Sequence, residues 1–173
     1  MTLDVVILAG GKGTRIRKVL HDTPKIMAPI EGKPFLDWLL AWIDSWNLNT
    51  SKNITLSTCV GHELIHDYCR KKFLNVKCLQ EQKPLGTLGA LANVASTIKA
   101  KNYLVMNGDT IFKADFQKFY KRFCLRKDSK PLIILKKVLE NDRYGGYERI
   151  NKYWKFSNQK TEFISLGAFF ITG

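Results

Sequence analysis

The stretch that decides the fold is Val5–Arg15, VVILAGGKGTR, in which a short apolar run leads directly into a glycine-rich loop. Val5–Leu8 has the composition of a buried strand. Gly10, Gly11 and Gly13 allow the backbone to turn sharply and to approach a phosphate closely, and the amides of such a loop can donate to anionic oxygens. The spacing is neither GxGxxG nor GxxxxGK[ST], and a glycine turn with solvated basic residues explains the loop equally well when it is taken alone.

Polar side chains next to the loop strengthen the phosphate interpretation. Thr14 can add a hydroxyl donor, and Arg15 has a planar guanidinium that matches phosphate oxygens. Lys25 follows in TPKIMAPIEGKP, where Pro24 and Pro29 stiffen the segment that carries its ammonium group.

Apolar runs and helical periodicities alternate along the rest of the chain, which predicts an α/β fold with a mostly parallel central sheet covered on both faces. The predicted strands after Val5–Leu8 are Ile54–Ser57, Val76–Leu79, Tyr103–Met106, Leu132–Val138 and the segments DRYGGYERI and FISLGAFFI. The predicted helices are Pro34–Trp46, Glu63–Phe73, Leu88–Ile98 and Phe116–Phe123. Ligands of such sheets bind beyond the carboxyl ends of the strands. This rule selects the segments Ala9–Arg15, Gln80–Thr87 and Asn107–Thr110 as candidate site segments.

Composition favours one globular domain. The 173 residues are 45% hydrophobic, which is enough for a sizeable core. The chain has no run of about 18 uncharged apolar residues and no secretory signal pattern, so we expect a cytoplasmic protein that does not bind membranes. Its four cysteines, which include no CxxC pair, are expected to be reduced. The net charge of +13 indicates a polyanionic partner, such as a nucleoside triphosphate or a nucleic acid.

Three ordered motifs resemble those of the sugar-1-phosphate nucleotidyltransferases, which make nucleotide-activated sugars. They are LAGGKGTRIRKVLHDTPKIMAPIEGKP at 8–34, PLGTLGA at 84–90 and NGDT at 107–110, and the resemblance weakens after about Arg149. It implies a three-layer, Rossmann-like nucleotide-diphospho-sugar transferase fold. It also implies a single domain at 1–173, with a nucleotide-binding core at 1–130 and the start of a sugar-binding portion at 131–173.

The same resemblance implies roles for individual residues. Leu8, Ala9, Gly10 and Gly11 would lie beneath the base and ribose, Gly13 and Thr14 would hold the triphosphate, and Arg15, Lys25 and Asp109 would be catalytic, with Asp109 as the Mg²⁺ ligand. The remaining nucleotide contacts would come from Glu81, Pro84, Gly86 and Thr87, and the sugar contacts from Gly108, Tyr144 and Gly145. If the other two motifs were absent, Asp109 would be interpreted as an aspartate of an Asn-Gly-Asp turn. Tyr144 is equally well explained as an aromatic residue packed on a strand.

The implied reaction is attack of a sugar 1-phosphate on the α-phosphorus of a nucleoside triphosphate, with release of pyrophosphate. Glu81 lies at a position that faces the base in relatives, and an ionised carboxylate matches the adjacent N1 and N2 donors of guanine, which favours GTP. A solvated glutamate in a polar loop is the alternative. The segment DRYG at 142–145 is most similar to the branch that uses heptose 1-phosphate for surface polysaccharide. A homodimer is left open.

The sequence departs from the family at its end. KFSNQK has Asn158 and Gln159 where relatives carry a Glu-Lys pair, with Lys160 next to them, and Ser165 lies near the place of an expected asparagine. Relatives also continue past the equivalent of Gly173 to a second metal-binding aspartate. A nucleotide-binding protein without turnover is therefore an alternative function.

Two unrelated functions are also considered. His62, Glu63 and His66 form HELIH, which matches the HExxH spacing of zinc hydrolases. The segments YKRFCLRKDSK and KYWKFSNQK combine aromatic and basic residues as nucleic-acid-binding modules do. Both patterns are more common on solvated surfaces, and the predicted partners exclude nucleic acid.

Overall fold

The strand β1 (Thr2–Ala9) lies at the centre of a mixed eight-stranded sheet in a computed structural model of the chain. The structure describes residues 2–11, 13, 16–73, 75–139, 145–151, 153–159 and 161–173. The other strands are β2 (Pro29–Ile30), β3 (Lys33–Pro34), β4 (Ser51–Thr58), β5 (Val76–Gln80), β6 (Asn102–Asn107), β7 (Leu132–Lys137), β8 (Gly146–Ile150), β9 (Tyr153–Ser157) and β10 (Phe163–Thr172). The helices are α1 (Arg17–Leu20), α2 (Phe35–Asp44), α3 (His62–Lys72), α4 (Gly86–Thr97) and α5 (Phe116–Cys124), with a 3₁₀ turn at Lys25–Met27.

The sheet has a parallel core and an antiparallel extension. Its strand order is β5-β4-β1-β6-β10-β8-β9, and β7 also pairs with β10. β1 is parallel to both β4 and β6, and β4 is parallel to β5. β10 is antiparallel to β6, β7 and β8, and β8 is antiparallel to β9. The prediction of a parallel sheet holds for β5, β4, β1 and β6, whereas the later strands extend the sheet in the antiparallel direction.

Helices cover both faces of the parallel core, as the three-layer prediction requires. Leu3, Val5 and Ile7 of β1 are fully buried in a cluster with apolar residues of α2, α3 and α5. Val6 points to the other face and packs with residues of α4. β1 is therefore buried on both sides, which explains its almost continuous apolar sequence.

The antiparallel hairpin β8–β9 differs from the predicted strand pattern, because β9 is not among the predicted strands. The described part of DRYGGYERI forms β8 as expected, but KYWKFSNQK also contains a strand, β9, that charge and aromatic content concealed. Asn151 has a φ of 56° in the connection, a conformation that Asn tolerates better than most side chains. The second small hairpin, β2–β3, turns at Glu31 and Gly32, whose φ values are 48° and 76°.

One boundary matters for the site. α4 begins at Gly86, two residues before the predicted start at Leu88, so Gly86 and Thr87 belong to its first turn. Among the described residues, no helix has the length and hydrophobicity needed to cross a membrane. All four cysteines are free thiols.

Candidate nucleotide-binding site

A cleft of about 310 Å³ lies at the carboxyl edge of the parallel strands. The ends of β1, β5 and β6 meet there, as the parallel arrangement requires. The lining residues are Leu8, Ala9, Gly10, Gly11, Lys25, Ile26, Glu81, Pro84, Gly86, Thr87, Ala90, Asn107, Gly108 and Asp109. The volume is at the lower end of the range of small-molecule sites. The structure thus brings the three predicted segments together at one place.

Gly108 allows the loop after β6 to lie directly against the end of β1. Its amide donates to the carbonyl oxygen of Leu8 at 3.0 Å. A Cβ atom at Gly108 would lie 2.8 Å from the same oxygen and 3.1 Å from Ile7 Cγ2. The close approach of the two loops therefore requires glycine at this position.

Lys25 and Asp109 form an ion pair at the cleft. The 3₁₀ turn that carries Lys25 is anchored by Ile26 and Met27, whose side chains are buried. Lys25 Nζ lies 3.2 Å from Asp109 Oδ2, and the two side chains are 35% and 45% exposed. The hydroxyl of Thr110 donates to the other carboxylate oxygen, Oδ1, at 3.1 Å. Because both charges remain solvated, this pair adds little to stability and its groups can take other partners.

Gly13 lies beside the aliphatic part of Lys25. It has a φ of 60°, and a Cβ atom there would lie 3.4 Å from Lys25 Cγ. A second hollow, whose lining includes Gly11, Gly13 and Lys25, adjoins the first on this side. Gly10 and Gly11 therefore line the cleft itself, and Gly13 lines the adjoining hollow.

The Glu81 side chain is buried at the cleft and held by hydrogen bonds to its carboxylate. It is 5% exposed, and it follows β5 directly. Its Oε1 accepts the hydroxyl of Ser57 at 2.8 Å, and its Oε2 accepts the amide of Leu85 at 3.0 Å. Its own amide donates to Thr58 O, which continues the pairing of β5 with β4. The expectation of a solvated glutamate in a polar loop is therefore wrong.

A side chain at Gly10 would crowd the Glu81 carboxylate, which occupies the adjacent space. A Cβ atom at Gly10 would lie 3.2 Å from Glu81 Oε1 and 3.3 Å from Oε2. The glycine loop and the segment after β5 are therefore fitted to each other at this carboxylate.

Some predicted site residues are not among the described residues that line the cleft. Thr14, Arg15 and Tyr144 fall outside the described residues. Gly145 is absent from the described lining of the cleft and packs under the ring of Phe156, where a Cβ atom would lie 2.5 Å from Cζ.

The HELIH segment has local partners in the structure. His62 Nδ1 lies 2.7 Å from Thr58 Oγ1, and this hydroxyl donates to Leu79 O at 3.1 Å. Because a hydroxyl has one proton, Nδ1 is the donor to Thr58, which ties the start of α3 to the sheet. The rings of His62 and His66 stack with centroids 5.5 Å apart. Within the described ranges, no three His, Cys, Asp or Glu side chains are grouped to hold a metal.

Sequence reasoning missed four residues at or behind the cleft: Ile26, Asn107, Ala90 and Ser57. Asn107 belongs to the NGDT motif and could have been named from it. Ser57 could not, because nothing in its local sequence distinguishes a strand serine that faces the site from one that faces the core.

Comparison with known proteins identifies the family. The profile described as Nucleotidyl transferase matches residues 4–154. The D-glycero-alpha-D-manno-heptose 1-phosphate guanylyltransferase of Campylobacter jejuni is 35% identical over 145 residues, which cover 83% of this chain and 62% of the relative. The protein of the same name from Aneurinibacillus thermoaerophilus is 34% identical, with 83% and 61% covered. This chain therefore matches about three fifths of the length of these curated relatives.

Solved structures agree with this result. The crystal structure of HddC from Yersinia pseudotuberculosis superposes with a TM-score of 0.80 at 33% identity, and the match covers 98% of this chain and 76% of that one. The same protein complexed with GMP-PN superposes with a TM-score of 0.77. From its sequence match and its fold, this chain belongs to the nucleotidyl transferase family.

Proposed function

We propose that this chain transfers a guanylyl group from GTP to a sugar 1-phosphate, with heptose 1-phosphate as the sugar substrate and with release of pyrophosphate. The observation that carries the proposal is one cleft lined both by Glu81, a carboxylate held by hydrogen bonds, and by a lysine and aspartate pair suited to phosphates. The product would be a nucleotide-activated sugar for surface polysaccharide synthesis.

The preference for guanine rests on the chemistry of Glu81. An ionised carboxylate only accepts hydrogen bonds, and guanine presents two adjacent donors, N1–H and the N2 amino group. Its hydrogen bonds to described residues use one acceptor site on each oxygen, so each oxygen has a second site that can accept from a base. Uracil and thymine present one donor between two acceptors and suit an amide better. The complex of the related HddC with GMP-PN supports a guanine nucleotide.

The phosphate chemistry rests on Lys25 and the glycine loop. An oxygen of the sugar phosphate attacks the α-phosphorus in line, a new P–O bond forms, and the bond to the β-phosphate oxygen breaks as pyrophosphate leaves. Both reactants are anions, so positioning and charge neutralisation supply most of the catalysis. Lys25 holds its ammonium at the cleft through a solvated pair, and it can therefore shift to phosphate oxygens. The predicted roles of Thr14 and Arg15 are part of the same proposal.

Asp109 is the residue that would hold Mg²⁺. Its carboxylate is 45% exposed at the cleft, and hard oxygen ligands suit this ion, which takes its other ligands from phosphates and water. When bound, Mg²⁺ neutralises phosphate charge and fixes the geometry of the triphosphate. Asp109 therefore has two competing cations, Lys25 in the structure and the metal in the proposed complex.

The sugar would bind on the side of the antiparallel strands, in the portion 131–173. Gly108 and the backbone of Gly145 would contact it, with Tyr144 as a further contact. The assignment to a heptose is supported by the names of the Campylobacter and Aneurinibacillus relatives.

The test is a pyrophosphate-release assay in which each nucleoside triphosphate is combined with a panel of sugar 1-phosphates in the presence of Mg²⁺. We expect release with GTP and a heptose 1-phosphate, and a loss of at least about 100-fold in Asp109→Asn, because the amide is neutral and a weak metal ligand. Asp67→Asn is the matched control, since Asp67 lies on α3 and is 56% exposed. Nucleotide binding without release for any pair would instead support a binding-only protein.

A further inference from the structure

Ser57 and Glu81 form a buried polar pair behind the cleft. Ser57 lies near the end of β4 and is fully buried, and its hydroxyl donates to Glu81 Oε1 at 2.8 Å. Ser57 is one of the few buried polar residues among those described, and a buried hydroxyl needs a hydrogen-bond partner. Its hydrogen bond to the Glu81 carboxylate supplies one.

The Glu81 carboxylate is buried, and among the ion pairs formed by described residues, none includes it. Within the same part of the chain, its hydrogen-bond donors are the neutral groups of Ser57 and Leu85. Burying a carboxylate costs free energy that two neutral donors offset only in part. A buried acceptor-rich group of this kind at a cleft is suited to a ligand that supplies further donors.

Two hydrogen bonds fix how the carboxylate is turned. The hydroxyl of Ser57 donates to one oxygen and the amide of Leu85 to the other. A carboxylate has about four acceptor sites, two on each oxygen. The described residues use one site on each oxygen, which leaves a second site on each for a ligand with two neighbouring donors. Loss of either bond would let the group rotate and present a single oxygen.

We propose that Ser57 is a positioning residue that sets base specificity: its hydroxyl holds the Glu81 carboxylate so that both oxygens meet the N1–H and N2 amino donors of a guanine base. This inference rests on the proposed function, in that it takes the cleft to bind GTP. Ser57 itself does not contact the base.

The experiment measures dissociation constants for GTP, ITP and tripolyphosphate by calorimetry, without a sugar phosphate. ITP lacks only the N2 amino group, and tripolyphosphate lacks the base altogether. For the unchanged protein we expect GTP to bind roughly 10- to 100-fold more tightly than ITP, as one hydrogen bond to a charged group implies. In Ser57→Ala the ratio should fall below about 3-fold, whereas tripolyphosphate affinity should stay within about 2-fold.

Two further variants make the result decisive. Ser57→Cys fills the same space with a weaker donor and should give an intermediate ratio. Ser96→Ala is the matched control, because Ser96 lies on α4, is exposed, and donates to a helix carbonyl, that of Asn93.

Each outcome has a distinct meaning. An unchanged GTP to ITP ratio in both Ser57 variants would overturn the positioning role while leaving nucleotide binding intact. A uniform loss for all three ligands would show a merely structural role and would also overturn it. If the unchanged protein bound tripolyphosphate but neither nucleotide, the guanylyl part of the proposed function would fail first.

Discussion

Replacing Gly108 by alanine should lower the free energy of unfolding and distort the cleft. The size of the stability loss can be worked out from the structure. The new Cβ atom would lie 2.8 Å from Leu8 O, 3.1 Å from Ile7 Cγ2 and 3.2 Å from Ile26 Cδ1. Backbone carbonyls cannot move aside as side chains do, so β6 and β1 must separate at their ends. Overpacking of this kind costs about 1–3 kcal/mol. Stretching the hydrogen bond from Gly108 N to Leu8 O adds about 0.5–1.5 kcal/mol.

The expected sum is about 1.5–4.5 kcal/mol, which for a chain of this size lowers Tm by roughly 3–18 °C. Thermal unfolding followed by circular dichroism measures it. Gly11→Ala is the matched control, because a Cβ atom at Gly11 has no heavy atom within 4 Å. The control should change Tm by no more than about 2 °C. The reasoning is refuted if Gly108→Ala has the same Tm as the unchanged protein, or if Gly108→Ala and Gly11→Ala lower the Tm equally.

Two other substitutions separate phosphate binding from sugar use. Lys25→Met removes a solvated ion pair with Asp109, so the free energy of unfolding should change by less than about 1 kcal/mol. Because the variant also removes a positive charge from the cleft, its affinity for tripolyphosphate, measured by calorimetry, should fall at least about tenfold. Lys71→Met, on the exposed side of α3, is the matched control and should change neither stability nor tripolyphosphate affinity. Equal losses of affinity in the two variants would mean that only the net charge of the protein matters. Gly145→Ala places a Cβ atom 2.5 Å from Phe156 Cζ, so the start of β8 must move. We expect a raised KM for the sugar phosphate in the pyrophosphate assay with GTP affinity within about 2-fold, and an unchanged KM would count against a sugar role for this backbone.

The parallel half of the fold could be predicted from sequence because its signals are local. Val5–Leu8 is apolar since β1 is covered on both faces, and the helices have apolar residues at helical spacing. The rule that ligands bind beyond the carboxyl ends of parallel strands then predicts that the segments 9–15, 80–87 and 107–110 lie at one edge of the sheet. Residues from all three segments line one cleft.

The antiparallel half was harder to predict for a physical reason. β9 is an edge strand whose residues are largely exposed, so it lacks the apolar pattern that marks a buried strand. The same exposure made Tyr153–Ser157 resemble a surface segment with aromatic and basic residues.

The contacts that tune the site depend on sheet register, which sequence patterns do not specify. Ser57 meets Glu81 because β4 and β5 pair with Ser57 opposite Leu79, two residues before the glutamate. Lys25 meets Asp109 across 84 positions of sequence. Such partners become visible only when the strands are placed side by side.

The most direct test of guanylyl transfer follows the phosphates of GTP through the reaction. With GTP labelled at the α-phosphate, the account predicts label in the nucleotide sugar, and with GTP labelled at the γ-phosphate it predicts label in pyrophosphate, each dependent on a heptose 1-phosphate and Mg²⁺. Release of the γ-label as orthophosphate, or no transfer of the α-label to any sugar phosphate, would contradict it.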